Sequence, residues 1–374
     1  MIWLTWRQFR PQAIAAACAL AAVAIVLIAT RPGLSADYTA AGLSACHAHC
    51  ATAASIFLDR VGNFDKFLDF AGVLLIIVAP ALMGLFWGAP LIAREVADGT
   101  HRIAWNQSVT RTRWTIVKLG LVGLAAIATA GLLSLIVTWW TSPIDAASLA
   151  GGSAQAATGG NGVHVTFNGF AEARLDPVIF DARGVAPLGY AALAFALGVT
   201  AGVLLRRTLP AMAVTLVAFV AIQVLMPNFI RPYLLPPSHA TVPLSIQNGI
   251  HVNTNAGSGL SEIQLTGSFA KPGTWVLSQA FYTGRRVDPY VIVTSSGPEL
   301  VMAPQACIPT PGSSGINPAD CQSALAALHL RESVIYQPAS RFWPLQWIET
   351  GIYLLLAAGL GWVCVWQIRR KRTP

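Results

Sequence analysis

Cys46-His47-Ala48-His49-Cys50 sets two thiols and two imidazoles inside one short run. These are zinc-ligating groups, but ligands so close together rarely enclose one tetrahedral ion, and a disulfide or simple loop packing is the readier use. Cys307 and Cys321 bracket a proline- and glycine-rich loop, "CIPTPGSSGINPADC", and form the favoured bridge, with Cys46 and Cys50 as the remaining pair. Four cysteines allow three connectivities. No H-E-x-x-H, G-x-S-x-G, paired C-x-x-C or G-x-x-x-x-G-K-[ST] occurs in the 374 residues. Hydrolase, metalloprotease and nucleotide-binding constellations are therefore missing, and no directly bound cofactor or metal is expected. Two polar groups in apolar surroundings remain. Glu349 lies about one turn inside the last apolar stretch, and a carboxylate there is costly and often functional. Gln223 lies in another such stretch. Both are candidates for lining a path. The plainer alternatives are Glu349 paired with Arg341 or wetted at the boundary, and Gln223 in a helix-to-helix hydrogen bond.

The elements that must position these groups are membrane spans. Charged residues are only 11% of the chain, against roughly 25% in soluble domains, and the mean hydropathy is +0.58. A helix rising about 1.5 Å per residue needs about twenty apolar residues to cross a core of about 30 Å. Six stretches qualify, at approximately 12–30, 70–90, 115–140, 186–205, 209–227 and 348–366. The fold class is an α-helical integral membrane protein with six transmembrane helices and a small α+β extracytoplasmic domain between helices five and six. Residues 1–30 hold an interfacial segment, "MIWLTWRQFRP", and the first span; its apolar run is too long for a signal-peptide core, so cleavage is not expected. Residues 31–69 read as an outer loop, and 141–185 as a flexible one because of "AASLAGGSAQAATGGNGVH". Pro80, Gly84, Gly88 and Pro90 predict a kink in span two. The domain at 228–345 has strand-like "WVLSQAFY" and "YVIVTSS" and a helical "CQSALAALHL". Trp139, Trp140, Trp343 and Trp347 read as interfacial aromatic anchors.

The net charge of +8 suggests an acidic partner or nucleic acid only until its distribution is considered. With the N-terminus inside, one face holds 13 of the 24 basic residues and only Glu95 and Asp98 among the acids. It includes Arg7, Arg10, Arg206, Arg207 and the tail at 367–374. The positive-inside rule then makes both ends cytoplasmic, in a multi-pass protein of the cell membrane, and nucleic acid binding is not expected.

One cytoplasmic connection has more shape than charge bias requires. Residues 91–114, "LIAREVADGTHRIAWNQSVTRTRW", continue span two, meet a natural stop at Gly99, allow two lateral turns, and restart at Thr110 as an N-cap. Arg111 and Arg113 then sit in a first turn, where the helix dipole disfavours each by about 0.3–1 kcal/mol. Either anionic membrane lipid or a partner protein must favour them. Trp105 beside Arg102 and Gln107 has the composition of a docking knob.

Glu95, Gly99 and Thr100 in an E-x-x-x-G-T pattern, then Val109-Thr110-Arg111 and Lys118 opening a span, resemble the segment between spans two and three of ABC-2 type transporter permeases. "WLTWRQFRPQ", "AREVADGTHRIAWNQSVTRTRW" and "YQPASRFWPLQWIE" resemble, more narrowly, permease subunits of actinobacterial ABC transporters. The resemblance implies a coupling helix that seats in a cytoplasmic ABC ATPase subunit, with Arg94, Glu95, Gly99, Thr100, Arg102, Trp105, Gln107, Thr110, Arg111, Arg113 and Lys118 on or beside it. Ser108 stands where such permeases often have proline, and Thr110 where serine is common. ATP and Mg would be bound by the partner, and a second permease, identical or a sister subunit, would complete the path; export is the expected direction. The alternative is a membrane sensor whose extracytoplasmic domain binds a ligand and relays it inward.

Overall fold

The computed structural model describes residues 2–97, 110–151, 170, 172–243, 250–254, 261–265, 269, 271–283, 299–302, 318–327 and 329–370. Two compact units are present: Met1–Leu235 with Ala339–Pro374, and Pro236–Pro338. Among the described residues six helices are long and apolar enough to cross a membrane. In chain order the first unit contains α1 (Ile2–Ala40), α2 (Ala51–Arg60), and α3 (Asn63–Met83), which passes through a π turn at Gly84–Gly88 into α4 (Ala89–Ala97). Then come α5 (Arg111–Leu149), the short α6 (Pro177–Asp181), α7 (Ala186–Leu205) and α8 (Thr208–Leu225), which ends in a second π turn at Met226–Ile230. After α9 (Pro318–Ala327) in the second unit, α10 (Phe342–Arg370) completes the first.

The helices outrun the apolar stretches that mark them. Helix α1 passes unbroken through Pro11 and Pro32 to Ala40, so neither the separate interfacial helix nor the loop expected to start at residue 31 is found there. Likewise α5 continues to Leu149. Beyond the apolar part, hydroxyls bond back to carbonyls of the preceding turn: Ser35 to Pro32 O at 2.9 Å, Thr39 to Ala36 O at 2.8 Å, Ser142 to Trp139 O at 2.9 Å and Ser148 to Asp145 O at 2.9 Å. Such back-bonding lets polar residues remain in a helix that hydropathy alone would end. Residues 31–69 hold α2 and the start of α3 besides the end of α1. Of residues 141–185, expected to form one flexible outer loop, 141–149 continue α5 and Pro177–Asp181 form α6, whose N-cap Asp176 accepts from the Val178 N–H; residues 152–169 lie outside the described residues.

Helix α7 is the centre of the bundle. In its apolar window 78% of residues are buried, against 6% to 33% in the other five spans. Its glycines explain how it is enclosed. A Cβ on Gly88 would stand 2.6 Å from Phe195 O, and one on Gly202 would stand 2.6 Å from Ala89 O. Likewise a Cβ on Gly84 would stand 2.6 Å from Ala194 O, and one on Gly198 would meet the backbone of Gly84. Two helix backbones pressed this close leave no room for side chains, which is how small residues drive association where lipid supplies no hydrophobic force. The outer faces carry Ile25, Leu124, Leu135, Leu209, Val217, Leu355 and Trp362, all exposed, as lipid-facing surfaces must be.

Trp139, Trp343 and Trp347 are exposed, but Trp140 is fully buried. Its indole N–H donates to Thr30 Oγ1 at 2.9 Å, and its carbonyl accepts from Arg31 Nη1 at 3.3 Å. It ties α1 to α5 and is not a membrane-surface anchor. Among its described residues the second unit holds two three-stranded antiparallel sheets. β1 (Ser238–Pro243) and β4 (Trp275–Thr283) flank β6 (Leu330–Gln337); β2 (Ile250–Thr254) and β5 (Glu299–Met302) flank β3 (Ser261–Leu265). The strand-like "WVLSQAFY" lies in β4, and "YVIVTSS" falls outside the described residues.

Gly198→Ala should therefore destabilise the protein by about 1–3 kcal/mol through overpacking. Gly361→Ala, where nothing lies within 4 Å, should be neutral or slightly stabilising. Thermal unfolding of both variants in one detergent checks the contrast.

Candidate functional site

The arginine-rich connection is flanked in the chain by the end of α4 and the start of α5. Helix α4 ends at Ala97 with Arg94 exposed in its last turn. Gly99, Thr100, Arg102, Trp105 and Gln107 lie outside the described residues, as do the side chains of Glu95 and Arg111. On the far side Thr110 is the N-cap of α5: its backbone is extended, and its Oγ1 accepts from the Arg113 N–H at 3.3 Å. Arg113 is exposed, whereas Lys118 is buried with its ammonium 4.7 Å from the centre of the Trp114 ring. Arg369 Nε, near the end of α10, donates to Thr112 Oγ1 at 3.0 Å.

Both stems of the elbow meet the N-terminal helix. Arg94 and Lys118 line a cavity of about 320 Å³ together with Gln8, Gln12, Phe9 and Trp87. The Phe9 and Trp87 rings meet edge to face at 4.9 Å. Three spans thus converge on one cavity, lined from the two helices that flank residues 98–109 in the chain, and the π turn of span two adjoins it through Trp87.

At the other end of the bundle the structure gathers charges. Helix α8 runs through its π turn and delivers Arg231, which is 0% exposed. The guanidinium forks onto Glu349 of α10, with Nε donating to Oε2 at 2.7 Å and Nη2 to Oε1 at 2.8 Å. Nη2 also donates to Asp181 Oδ1 at the end of α6. Tyr190 of α7 has its hydroxyl 2.8 Å from Asp181 Oδ1 and 2.8 Å from Glu349 Oε1. Phe180 lies under the guanidinium, 4.1 Å from carbon to ring centre. Burial pushes the Asp181 carboxyl up to about 6; Arg231 opposes that rise and Glu349 adds to it.

Glu349 therefore pairs with Arg231 and faces the bundle interior. Gln223 is half-buried and accepts a hydrogen bond from Tyr353 OH at 2.9 Å, while the Tyr353 and Tyr190 rings meet edge to face at 4.8 Å. Gln346 fastens the corner between α6 and α7. Its Oε1 accepts from the N–H groups of Val185 and Ala186 at 3.0 and 2.7 Å, and its Nε2 donates to Phe180 O at 2.9 Å. Gly184 turns that corner with φ +70, and a Cβ there would stand 2.9 Å from Gln346 Oε1. Beside it Arg183 pairs with Asp69 of α3 at 2.8 Å and Asp145 of α5 at 3.6 Å, and Arg174 reaches the same Asp145 oxygen at 3.2 Å.

Sequence reasoning found Glu349 and Gln223 but missed Arg231, Asp181, Tyr190 and the Arg183 group. A signal was available: a carboxylate inside a span demands a cation, and Arg231 follows the fifth apolar stretch closely. Of the cysteines, Cys46 and Cys50 form a disulfide, so neither thiol is free for metal, and His47 and His49 beside them are exposed. Cys321 is disulfide-bonded, and Cys307 lies outside the described residues.

Arg231→Met should cost about 3–5 kcal/mol, because it leaves two buried carboxylates without their cation. Arg231→Met combined with Glu349→Gln should recover part of that loss. Unfolding temperatures in detergent decide, and equal losses for the single and double variants would contradict the pairing.

The model of the family described as ABC-2 membrane transporter related matches residues 17–231, from within α1 to the cluster arginine. No curated protein and no solved structure matches the chain.

Proposed function

The chain belongs to the ABC-2 membrane transporter related family and is a multi-pass membrane component of an ABC transporter; on that premise we propose that it is the permease subunit of an exporter, driven by a separate cytoplasmic ATPase. The sequence carries no Walker-type phosphate loop, so ATP and Mg belong to that partner in this reading. Residues 91–114 act as the cytoplasmic coupling segment, and both chain ends are cytoplasmic. Six spans supply half of the path, and a second copy or a sister permease supplies the rest. ATP-driven association of the two ATPases moves the elbows, and transport follows from different substrate affinity in the two resulting states.

The observation that carries the coupling role is the convergence beside the elbow. Arg94 at the end of α4 and Lys118 near the start of α5 line one cavity with Gln8 and Gln12 of α1. In this reading a push on the 91–114 segment is passed to three spans through its two flanking helices. From α4 it passes to α7 through the backbone contact of Ala89 with Gly202.

Combining Arg102→Glu with Trp105→Ala should weaken the complex with the ATPase about tenfold or more, as loss of an aromatic and a charged anchor does at other interfaces. Co-purification with the ATPase encoded alongside this chain, followed by ATPase and vesicle transport assays, measures it. Unchanged assembly and coupling would remove the docking role from this segment.

A further inference from the structure

The cluster at the end of the bundle remote from the chain termini contains more short polar contacts than its hydrogens can serve. Arg231 Nη2 carries two hydrogens and the Tyr190 hydroxyl one. Five contacts draw on these three: Nη2 to Asp181 Oδ1, to Glu349 Oε1 and, at a longer 3.4 Å, to the Tyr190 oxygen, and the Tyr190 oxygen to each of the same two carboxylates. The phenol can donate to only one carboxylate. The other oxygen-to-oxygen contact, also 2.8 Å, has no hydrogen unless a carboxyl brings it.

The charges point the same way. One guanidinium faces two carboxylates, so the cluster is negative by one charge if both are ionised. The side chains of Arg231 and Glu349 are 0% exposed, and solvent is too remote to screen that excess. Asp181 is the open member, with 12% of its side chain exposed. Arg183 of the α6–α7 corner is engaged with Asp69 from α3 and Asp145 from α5, and Arg174 with Asp145. From α10, Tyr353 faces Tyr190 and gives its hydroxyl proton to Gln223.

We propose that Asp181 and Glu349, bridged by Tyr190 and held by Arg231, form a proton-binding site. It takes one proton from water at Asp181, making the cluster neutral and locking α6, α7, α10 and the end of α8 together. A hydronium ion gives up the proton, the new O–H bond forms on the Asp181 carboxyl, and it donates to the Tyr190 oxygen. Tyr190 then gives its own hydrogen to Glu349. Every short contact in the cluster is thereby supplied with a hydrogen. This inference goes beyond the transporter reading and does not depend on it.

The shifted Asp181 titration agrees with the geometry and sets the pH window. The value of about 6 in the folded protein lies above the ordinary 3.8. Between these two values the folded state keeps a proton that the unfolded chain has lost. The site's contribution to stability is therefore present in acid and lost as pH rises through about 6.

Infrared difference spectra of the full chain in lipid nanodiscs, recorded between about pH 7.5 and about pH 5, test this. The wild type should gain a protonated-carboxyl C=O band on acidification with a midpoint near the Asp181 value. Asp181→Asn should lose the band, and Glu349→Gln should keep it with the midpoint moved to lower pH, since a like charge has gone. Unfolding temperature should rise on the same acidification in the wild type relative to Asp181→Asn. No titrating band in the wild type, or an unchanged band in Asp181→Asn, would overturn the proposal. Should Asp181→Asn fail to fold, the wild-type band and the direction of its shift in Glu349→Gln decide alone.

Discussion

A guanidinium shut away from water has to be surrounded by acceptors, and Arg231 imposes that condition on the bundle. Solvent cannot share its charge, so carboxylates must come to it, and they come from α6 and α10, elements far apart in the chain. Once Glu349 is fixed by the fork from Nε and Nη2, the start of α10 is placed against α8. Once Asp181 is fixed, the short helix α6 must end where it does, and the chain has to turn at once into α7. Gly184 permits the turn, and Gln346 satisfies the N–H groups that it exposes at the head of α7. The corner, the cap and the ion pair therefore stand or fall together. Pairs of this kind contribute little net stability over an apolar replacement, but removing one member is expensive. Their value here is positional.

Helix α7 connects this cluster with the opposite end. Its first turns hold Tyr190 in the cluster, and its later glycines press on the π turn and on α4. Twenty residues of helix span about 30 Å, so one rigid, almost wholly buried element links the charged corner to the stem of the arginine-rich elbow. Packed helices with backbone-to-backbone contact have little freedom to deform individually. Movement of α4 is then shared by α7, and the buried cluster is the resistance met at its far end.

The six spans were legible because hydrocarbon leaves a compositional trace as long as the bilayer is thick. The trace stops where the hydrocarbon stops, so the extensions of α1 to Ala40 and α5 to Leu149 were invisible; those turns are held by hydroxyls bonding back to their own helix and by Trp140 meeting Thr30. The cost of a carboxylate at Glu349 was equally legible, and so was its need for a cation. Which cation was not. Arg341 was the neighbour in sequence, whereas the fold brings Arg231 from 118 residues away. Ion-pair partners across a bundle are chosen by helix packing, which one-dimensional spacing does not encode. The same limit hid the choice made by Trp140, whose position beside an exposed Trp139 gives no sign of which face turns inward.

The other end of the bundle poses the opposite electrostatic problem. There, Thr110 caps α5 through the Arg113 N–H, and Arg113 lies in the first turn, at the positive end of the helix dipole. Arg94 is exposed close by, and Arg369 closes against Thr112 with further positive charge. The remote cluster is internally paired, whereas this one places the exposed guanidinium of Arg113 on an unfavourable helix position. The positive-inside rule asks only that cations be on this side; arginines placed elsewhere in the connection would satisfy it at lower cost. The arrangement is physically reasonable when an anionic or acceptor-rich surface completes it. In the proposed transporter that surface is the ATPase groove: one end of the bundle turns its charges on one another, and the other leaves exposed cations for a partner to complete.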